Sequence, residues 1–393
     1  MTPLTVAMLS ESYIPRLSGV VISLTSYAQA LRADGHRVVI VAPAYPGHRD
    51  EDPDVLRLPS VRNPADPGFP VALPLRARVL RDPRVQAADV VHAHSPFVMG
   101  RLARSAARRL GRPLLFTHHT LYHEYVHYVP WLSPRLTRPA VLRYVREFAN
   151  RCDLVIAPSG VIREMLRTHG VTARIEVLPT GTVDPRQTAR ADLRAARARY
   201  GIPADRPLLV TVSRLAPEKS VDVILRAFQQ VSEPPGAYLL IVGGGPSAAS
   251  LEALARELGI GERVRFTGAL PHEGALEVMA GADLFVFASQ TETQGLVLVE
   301  AMAAGVPVVA VGVAGAAEAV VDGESGLLVS PGPDPLAAGM RRLLADPTLR
   351  ARLGRRGREI AAGYAAAALA RQLVGLYHSV MIEHASEGLP QRT

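Results

Sequence analysis

The architecture can be read outward from VTVSRLAPEKSVDVILRAF, Val210 to Phe228. It opens inside an apolar run of strand length, Leu208–Val212. A turn carrying Ser213, Arg214, Pro217, Glu218 and Lys219 follows, and a helix then begins. Strand, tight turn and helix in that order form half of a βαβ unit, the building block of a parallel α/β sheet. The rhythm repeats outward in both directions. Downstream, Tyr238–Val242, Val264–Thr267, Leu284–Ala288 and Val308–Val311 read as strands, most of them followed by a helical pattern. Upstream, Thr5–Leu9, Val38–Ala42, Val55–Leu58, Val90–Ala93, Leu114–Thr117, Leu154–Ala157 and Ile175–Leu178 read as strands, with helices over Val20–Asp34 and around Met99–Leu110. Between the two sets, PTGTVDPRQT (Pro179–Thr188) interrupts the pattern with Pro, Gly and polar residues and reads as a linker. The expected architecture is α/β: two Rossmann-like, doubly wound domains, residues 1–183 and 184–364, facing a central cleft. A last helix over about Ala365–Glu383 lies within residues 365–393 and is expected to pack back on the N-terminal domain, ahead of a frayed tail. Ligands of such sheets bind at the carboxyl ends of the strands.

Composition narrows the class. A length of 393 residues suits two domains, and 48% hydrophobic content fills a core in each. The single cysteine, Cys152, permits no intramolecular disulfide and reads as a buried thiol, which fits a reducing cytoplasm. MTPLTVAMLSESY lacks the basic start of a secretory signal, and no stretch reaches the roughly 18 apolar residues of a membrane span. The expectation is a soluble protein, or one held only at a membrane surface. Net charge is +8 and uneven: residues 1–183 carry +9 and residues 184–393 carry −1. Such a surface favours anionic partners, a lipid headgroup layer or nucleic acid. Aromatic content of 5% and the lack of a nucleic-acid motif argue against the second.

The C-terminal half carries the sharper chemistry. Arg214 and Lys219 sit at a strand-end turn beside a helix N-terminus, where two cations, backbone N–H groups and the positive helix end can hold a pyrophosphate. Lys219 is the only lysine; the other 43 basic residues are Arg. The one exception to that preference lies at the proposed phosphate turn, where a compact ammonium acts as a point charge. In LFVFASQTETQGLVLVEAMAAGVPVVA, Leu284–Ala310, a polar loop leads through Gly295 into a helix. Glu292 lies in the loop and Glu300 within the helix, among apolar residues where a carboxylate wants a partner. Sugar hydroxyls need acceptors such as carboxylates, and a ribose diol suits a bidentate one. The amides of Gln294, Gly295 and Leu296 add donors at the helix start.

These two segments, SRL-x-PEKS and the E-x₇-E pattern from Glu292 to Glu300, resemble the retaining GT-B glycosyltransferases of family GT4. The resemblance covers nearly the whole chain and is strongest in its C-terminal half. It implies that Arg214 and Lys219 hold a donor diphosphate, that Glu292 and the amides of Gln294–Leu296 hold the sugar, and that Glu300 holds the ribose. It places Leu270, in FTGALPHEG, near the nucleobase. Two other patterns lead elsewhere. The glycines of VGGGPSAAS run together as Gly243, Gly244 and Gly245 and lack the spacing of a dinucleotide fingerprint. DEDPD, Asp50–Asp54, imitates a metal-binding D-x-D but stands in a Pro-rich excursion, Gly47–Pro74, and reads as a solvated acidic loop. No metal and no resident cofactor are expected; the nucleotide sugar is a co-substrate.

In the N-terminal half, Ser18 and Gly19 open the first helix, where a glycine admits close backbone approach and the helix end favours an anion. The matching GT4 loop faces the donor phosphate. Four of the twelve histidines, His118, His119, His123 and His127, fall within ten positions. The last three are four apart, which could align imidazoles, but no acidic or Cys ligand completes a metal site beyond Glu124, off that face. In GT4 enzymes a His after this strand lies beside the reacting sugar; His119 is the choice and His118 the fallback, and His118 is also counted on the acceptor side. HTLYHEYVHYVP resembles the subgroup that glycosylates diacylglycerol, with Tyr122, Tyr125, His127 and Tyr128 lining the acceptor side. PWLSPRLTRPAVLRYVREFANR joins the only Trp, Trp131, to five Arg, a composition suited to an anionic bilayer surface.

The expected reaction is transfer of a hexose, glucose being the first choice, from a UDP-sugar to a lipid hydroxyl such as that of 1,2-diacylglycerol, with retention at the anomeric carbon. The enzyme would be peripheral to the inner face of the membrane. Alternatives keep the donor and change the acceptor to phosphatidylinositol or a soluble sugar. In another class stands a nucleotide-sugar epimerase, which would leave the Tyr/His and Trp/Arg segments unexplained.

Overall fold

The computed structural model describes residues 2–16, 18–63, 68–124, 134–181, 197–231 and 236–387. The chain forms two compact units: Met1–Gly181 together with Ala366–Thr393, and Thr182–Ala365. The expected linker falls mostly outside the described residues.

The first unit is built on β1 (Thr5–Leu9), β2 (Arg37–Pro43), β3 (Val55–Leu58), β6 (Val90–Ala93), β7 (Leu114–Thr117), β8 (Leu154–Ala157) and β9 (Ile175–Val177). They form one sheet of order β3-β2-β1-β6-β7-β8-β9, every neighbouring pair parallel. A small antiparallel pair, β4 (Ser60–Val61) and β5 (Val71–Ala72), lies inside the segment read as a loop. The second unit holds β10 (Leu208–Val212), β11 (Tyr238–Val242), β12 (Val264–Phe266), β13 (Leu284–Phe287), β14 (Val308–Val311) and β15 (Gly326–Val329). Their order is β12-β11-β10-β13-β14-β15, again parallel. In both sheets the winding reverses beside the first strand, at β1/β6 and at β10/β13. These are the switch points where α/β sheets leave a crevice for ligands.

Continuous apolar strands follow from burial on both faces. In the second unit Leu209, Leu239, Ile241, Leu284 and Val286 join one core, while Leu208, Val210, Leu240, Phe285 and Phe287 join the other. The alternation along each strand is that of a pleated backbone. Phe285 is fully buried, so its truncation to Ala would cost about 3–5 kcal/mol.

The acidic loop is not simply solvated. Asp50 pairs with Arg57, Asp52 with Arg32 and Asp54 with Arg37, each at 2.7 Å. Hydrogen bonds from Arg57 hold the carboxyl of Asp50 below its ordinary range, and those from Arg37 do the same for Asp54. The last helix runs longer than expected, Ala366–Glu387, and packs on the helix Gly19–Ala33. Its Tyr377 is fully buried, and its Glu383 meets Arg174 at 2.6 Å. Cys152 is 7% exposed, and burial pushes its thiol up.

Candidate functional site

The second unit builds its site from the turns that follow β10, β12 and β13. After β10 the chain is held by backbone pairing: Ser213 N donates to Val242 O at 3.0 Å, and Leu215 N to Gly244 O at 2.9 Å. A Cβ on Gly243 would overlap the Ser213 carbonyl oxygen, and one on Gly245 the Leu215 carbonyl oxygen. The glycine run is therefore the seat on which the Arg214 turn rests. Arg214 is half-buried there. A single 3-10 turn, Pro217–Lys219, and Ser220 in the left-handed region at φ 50° lead into the helix Val221–Gln229.

From the neighbouring strand β13 comes the loop carrying Glu292. Ser289, fully buried, donates its hydroxyl to Glu218 O at 3.3 Å. Gly315 N, beyond β14, donates to Glu292 O at 2.9 Å. Gly295 at φ 75° then caps the helix Leu296–Ala303. This frame brings Lys219 Nζ to Glu292 Oε1 at 2.5 Å, with side chains 17% and 19% exposed. Burial alone would raise the Glu292 carboxyl. The charge and hydrogen bond of Lys219, with the nearby Ser289 hydroxyl, outweigh it and hold the Glu292 carboxyl below its usual range. Lys219 and Glu292 come from one turn and one loop 73 positions apart, and it is the adjacency of β10 and β13 that lets them pair.

Glu300 is 7% exposed on the helix Leu296–Ala303. Its expected need for a partner is met by His272, whose Nε2 lies 2.8 Å from Glu300 Oε1. That hydrogen bond raises the His272 pKa against the opposing effect of burial. His272 was not among the expected site residues. It begins the helix His272–Ala280, two positions after Leu270, which packs half-buried on the core. Gln294 is 7% exposed in the loop, and Gly295 and Leu296 stand at the helix start, ahead of its first internal hydrogen bonds.

In the first unit, Ser18 caps the helix Gly19–Ala33 by accepting from Val21 N at 3.3 Å. A Cβ on Gly19 would meet nothing within 4 Å, so its backbone is open to approach. At the β1/β6 switch point Glu11 accepts from Met99 N at 2.8 Å and Ser95 Oγ at 3.1 Å, capping the helix Val98–Leu110. Burial raises its pKa. Beside it lies a histidine cluster that sequence reading caught only in part. His94 Nδ1 and His119 Nε2 share a hydrogen bond of 2.8 Å and their rings stack. His92 binds Thr117 Oγ1 at 2.7 Å and Tyr377 OH at 2.8 Å. The alternation His92-Ala-His94 at a strand end was the missed signal. Burial pushes His92 down to about 3 and His94 and His119 well below their ordinary value, so all three are neutral near pH 7.

His118 proves to be a core residue. It is 2% exposed, edge-on to Phe116 and Tyr122, and burial pushes it down to about 3. Tyr122 is half-buried between Phe97 and His118. Tyr125, His127, Tyr128 and Trp131 lie outside the described residues, and the helix Pro134–Ala149 follows them.

That helix lines a groove of about 600 Å³ with Arg76, Arg101, Arg104, Arg108, Arg109 and Arg151 on its walls and Tyr144 and Phe148 among its rings. Arg76, Arg104, Arg108 and Arg109 have no carboxylate partner among the described residues, so the groove keeps its positive charge. Among those residues no group of three or more His, Cys, Asp or Glu side chains is placed to hold a metal ion, and no helix is long and apolar enough to cross a membrane.

Two Rossmann-like units with a cation–carboxylate pair at a switch point define a class that the comparisons bear out. Residues 17–186 match the model for Glycosyltransferase Family 4, and residues 192–360 that for Glycosyl transferases group 1. The chain belongs to the GT4 glycosyltransferases, with the GT-B fold. It is similar to alpha-monoglucosyldiacylglycerol synthase of Streptococcus pneumoniae, 34% identical over 78% of this chain and 71% of that one. It is also similar to a GDP-mannose-dependent alpha-(1-6)-phosphatidylinositol monomannoside mannosyltransferase of Mycolicibacterium smegmatis, 32% identical over 89% and 92%. Among solved structures, sucrose-phosphate synthase of Thermosynechococcus elongatus superposes with a TM-score of 0.77 at 26% identity, covering 97% of this chain and 100% of that one. Family membership sets the epimerase alternative aside.

Proposed function

We propose that this glycosyltransferase moves glucose from UDP-glucose to the free hydroxyl of 1,2-diacylglycerol, with retained anomeric configuration and without a metal ion. The observation that carries the donor half of this reading is the Lys219–Glu292 pair at the β10/β13 switch point. It sets a cation for a diphosphate next to an ionised carboxylate for a sugar. As the bond from the anomeric carbon to the phosphate oxygen breaks, negative charge collects on the diphosphate. Arg214 and Lys219 stabilise that charge, and the open backbone at Gly19 adds donors. Glu292 and the amides of Gln294, Gly295 and Leu296 hold the hexose, Glu300 the ribose, and Leu270 flanks the base. His119, neutral and tied to His94, orients the sugar by hydrogen bonding. The acceptor oxygen bonds to the anomeric carbon on the face the phosphate leaves, and its proton passes to the departing phosphate.

The lipid half rests on two supports. Both relatives described above, a glucosyldiacylglycerol synthase and a phosphatidylinositol monomannoside mannosyltransferase, are named for lipids. The arginine groove of the first unit suits the negative headgroups of a bilayer, each basic side chain near such a surface contributing about 1 kcal/mol. The enzyme on this reading is peripheral to the inner membrane face, with Tyr122, Tyr125, His127 and Tyr128 toward the acceptor. A second reading, GDP-mannose to a phosphatidylinositol acceptor, is favoured by the mannosyltransferase relative, which this chain covers over 92% of its length. Incubation with labelled UDP- and GDP-sugars against diacylglycerol, phosphatidylinositol and soluble acceptors, with and without EDTA, decides between them. Glucosyldiacylglycerol formed in EDTA supports the proposal; a mannosylated inositol lipid supports the second reading; transfer only to soluble sugars defeats both.

A further inference from the structure

Glu300 lies well inside the unit, 7% exposed, and its carboxylate has one side-chain partner among the described residues, His272 at 2.8 Å. A carboxylate on a helix has several staggered rotamers and two acceptor oxygens. To accept both hydroxyls of a ribose diol it must present one orientation before the nucleotide arrives; otherwise ordering the side chain subtracts from affinity. His272 supplies that restraint from a different element. It is the first residue of the helix His272–Ala280, reached through the turn after β12 that also carries Leu270. A ring nitrogen fixed by one helix thus takes Oε1 of a carboxylate fixed by another, and among the described residues no side chain takes Oε2.

We propose that His272 is a positioning residue that locks the Glu300 carboxylate for the ribose diol of the donor nucleotide, so that His272 sets how strongly this enzyme discriminates ribonucleotide from deoxyribonucleotide donors. This rests on the reading that Glu300 meets the ribose. His272 does not touch the reacting atoms, and its effect appears in donor binding rather than in the transfer step.

The test compares inhibition by UDP and by 2′-deoxy-UDP in the full-length parent enzyme and in His272→Ala, His272→Gln and Glu300→Ala, with donor KM and kcat measured for each. The His272 side chain is 24% exposed, so truncation leaves no sealed cavity, and thermal unfolding verifies the fold. His272→Ala is expected to raise donor KM about five- to tenfold, leave kcat within about twofold, and shrink the preference for UDP over 2′-deoxy-UDP. His272→Gln, which keeps an N–H donor of similar reach, restores most of that preference. Glu300→Ala abolishes the preference. Should Glu300→Ala abolish it while His272→Ala keeps the parental ratio, the positioning role is overturned and the ribose reading stands. Should Glu300→Ala keep the parental ratio, the ribose reading itself is wrong and the positioning role falls with it. A Gln variant no better than Ala would also overturn the positioning role.

Discussion

Replacing Lys219 by Ala removes the only lysine side chain from its 2.5 Å contact with Glu292. Two effects follow and can be separated. The first is on the transition state: loss of one preorganised donor to developing negative charge costs about 3–4 kcal/mol, or roughly 10²–10³-fold in turnover. The second is on the fold. Stranding a buried charge costs about 3–5 kcal/mol when it cannot neutralise. Here the pair keeps some solvent contact and Glu292 can take up a proton instead, so the loss of stability is roughly 1–3 kcal/mol. The sign of the pH effect follows. With Lys219 present the Glu292 carboxyl is held below its ordinary value; without it, burial remains and pushes the carboxyl up. Residual activity of Lys219→Ala should therefore fall at a higher pH on the acid side than that of the parent. Lys219→Arg should restore stability but no more than about a tenth of the rate, since a planar fork replaces a point charge. Glucosyl transfer from labelled donor over a pH series, together with thermal unfolding, reads all three. Turnover of a folded Lys219→Ala enzyme within tenfold of the parent would refute the diphosphate assignment.

Other consequences are more quickly tested. Glu292→Gln should lower sugar transfer at least about tenfold more than it weakens UDP binding by calorimetry; equal losses would remove its sugar-specific role. Liposomes rich in anionic lipid should co-sediment with the protein at low salt and release it near 1 M salt, where screening acts within about 3 Å. Arg104→Glu with Arg108→Glu should cut that binding about tenfold or more without changing the unfolding temperature by more than a few degrees; unchanged binding would clear the groove of a membrane role. The Asp54 carboxyl is depressed below its ordinary value of 3.8 by Arg37, so its contribution is present above that pH and lost as pH falls through the folded value. Asp54→Asn should therefore narrow the drop in unfolding temperature on going below pH 3.8, and an unchanged drop would contradict the pairing.

Both sheets were legible because their strands are uninterrupted apolar runs, covered on two faces and separated by helices. What escaped was short or disguised. β15 begins at Gly326 within ESGLLV, where Glu, Ser and Gly read as turn residues, and its four positions offer little pattern. The β4/β5 pair has two residues per strand and lies in a Pro-rich stretch. Lys219 stood out by composition and Glu300 by being a carboxylate in an apolar helix. Their partners did not: Glu292 is 73 positions from Lys219 and His272 is 28 from Glu300, and only the parallel order of β12, β10 and β13 shows why such residues meet. His94 likewise reaches His119 across the adjacent strands β6 and β7. Pairing between strand ends depends on sheet order, which a local pattern does not encode.

The most direct test of the donor site is a crystal structure of the enzyme with UDP-glucose or UDP. The diphosphate should lie about 3 Å from Lys219 Nζ and the Arg214 guanidinium, with the ribose hydroxyls on Glu300. A nucleotide seated away from the turns after β10 and β13 would contradict it.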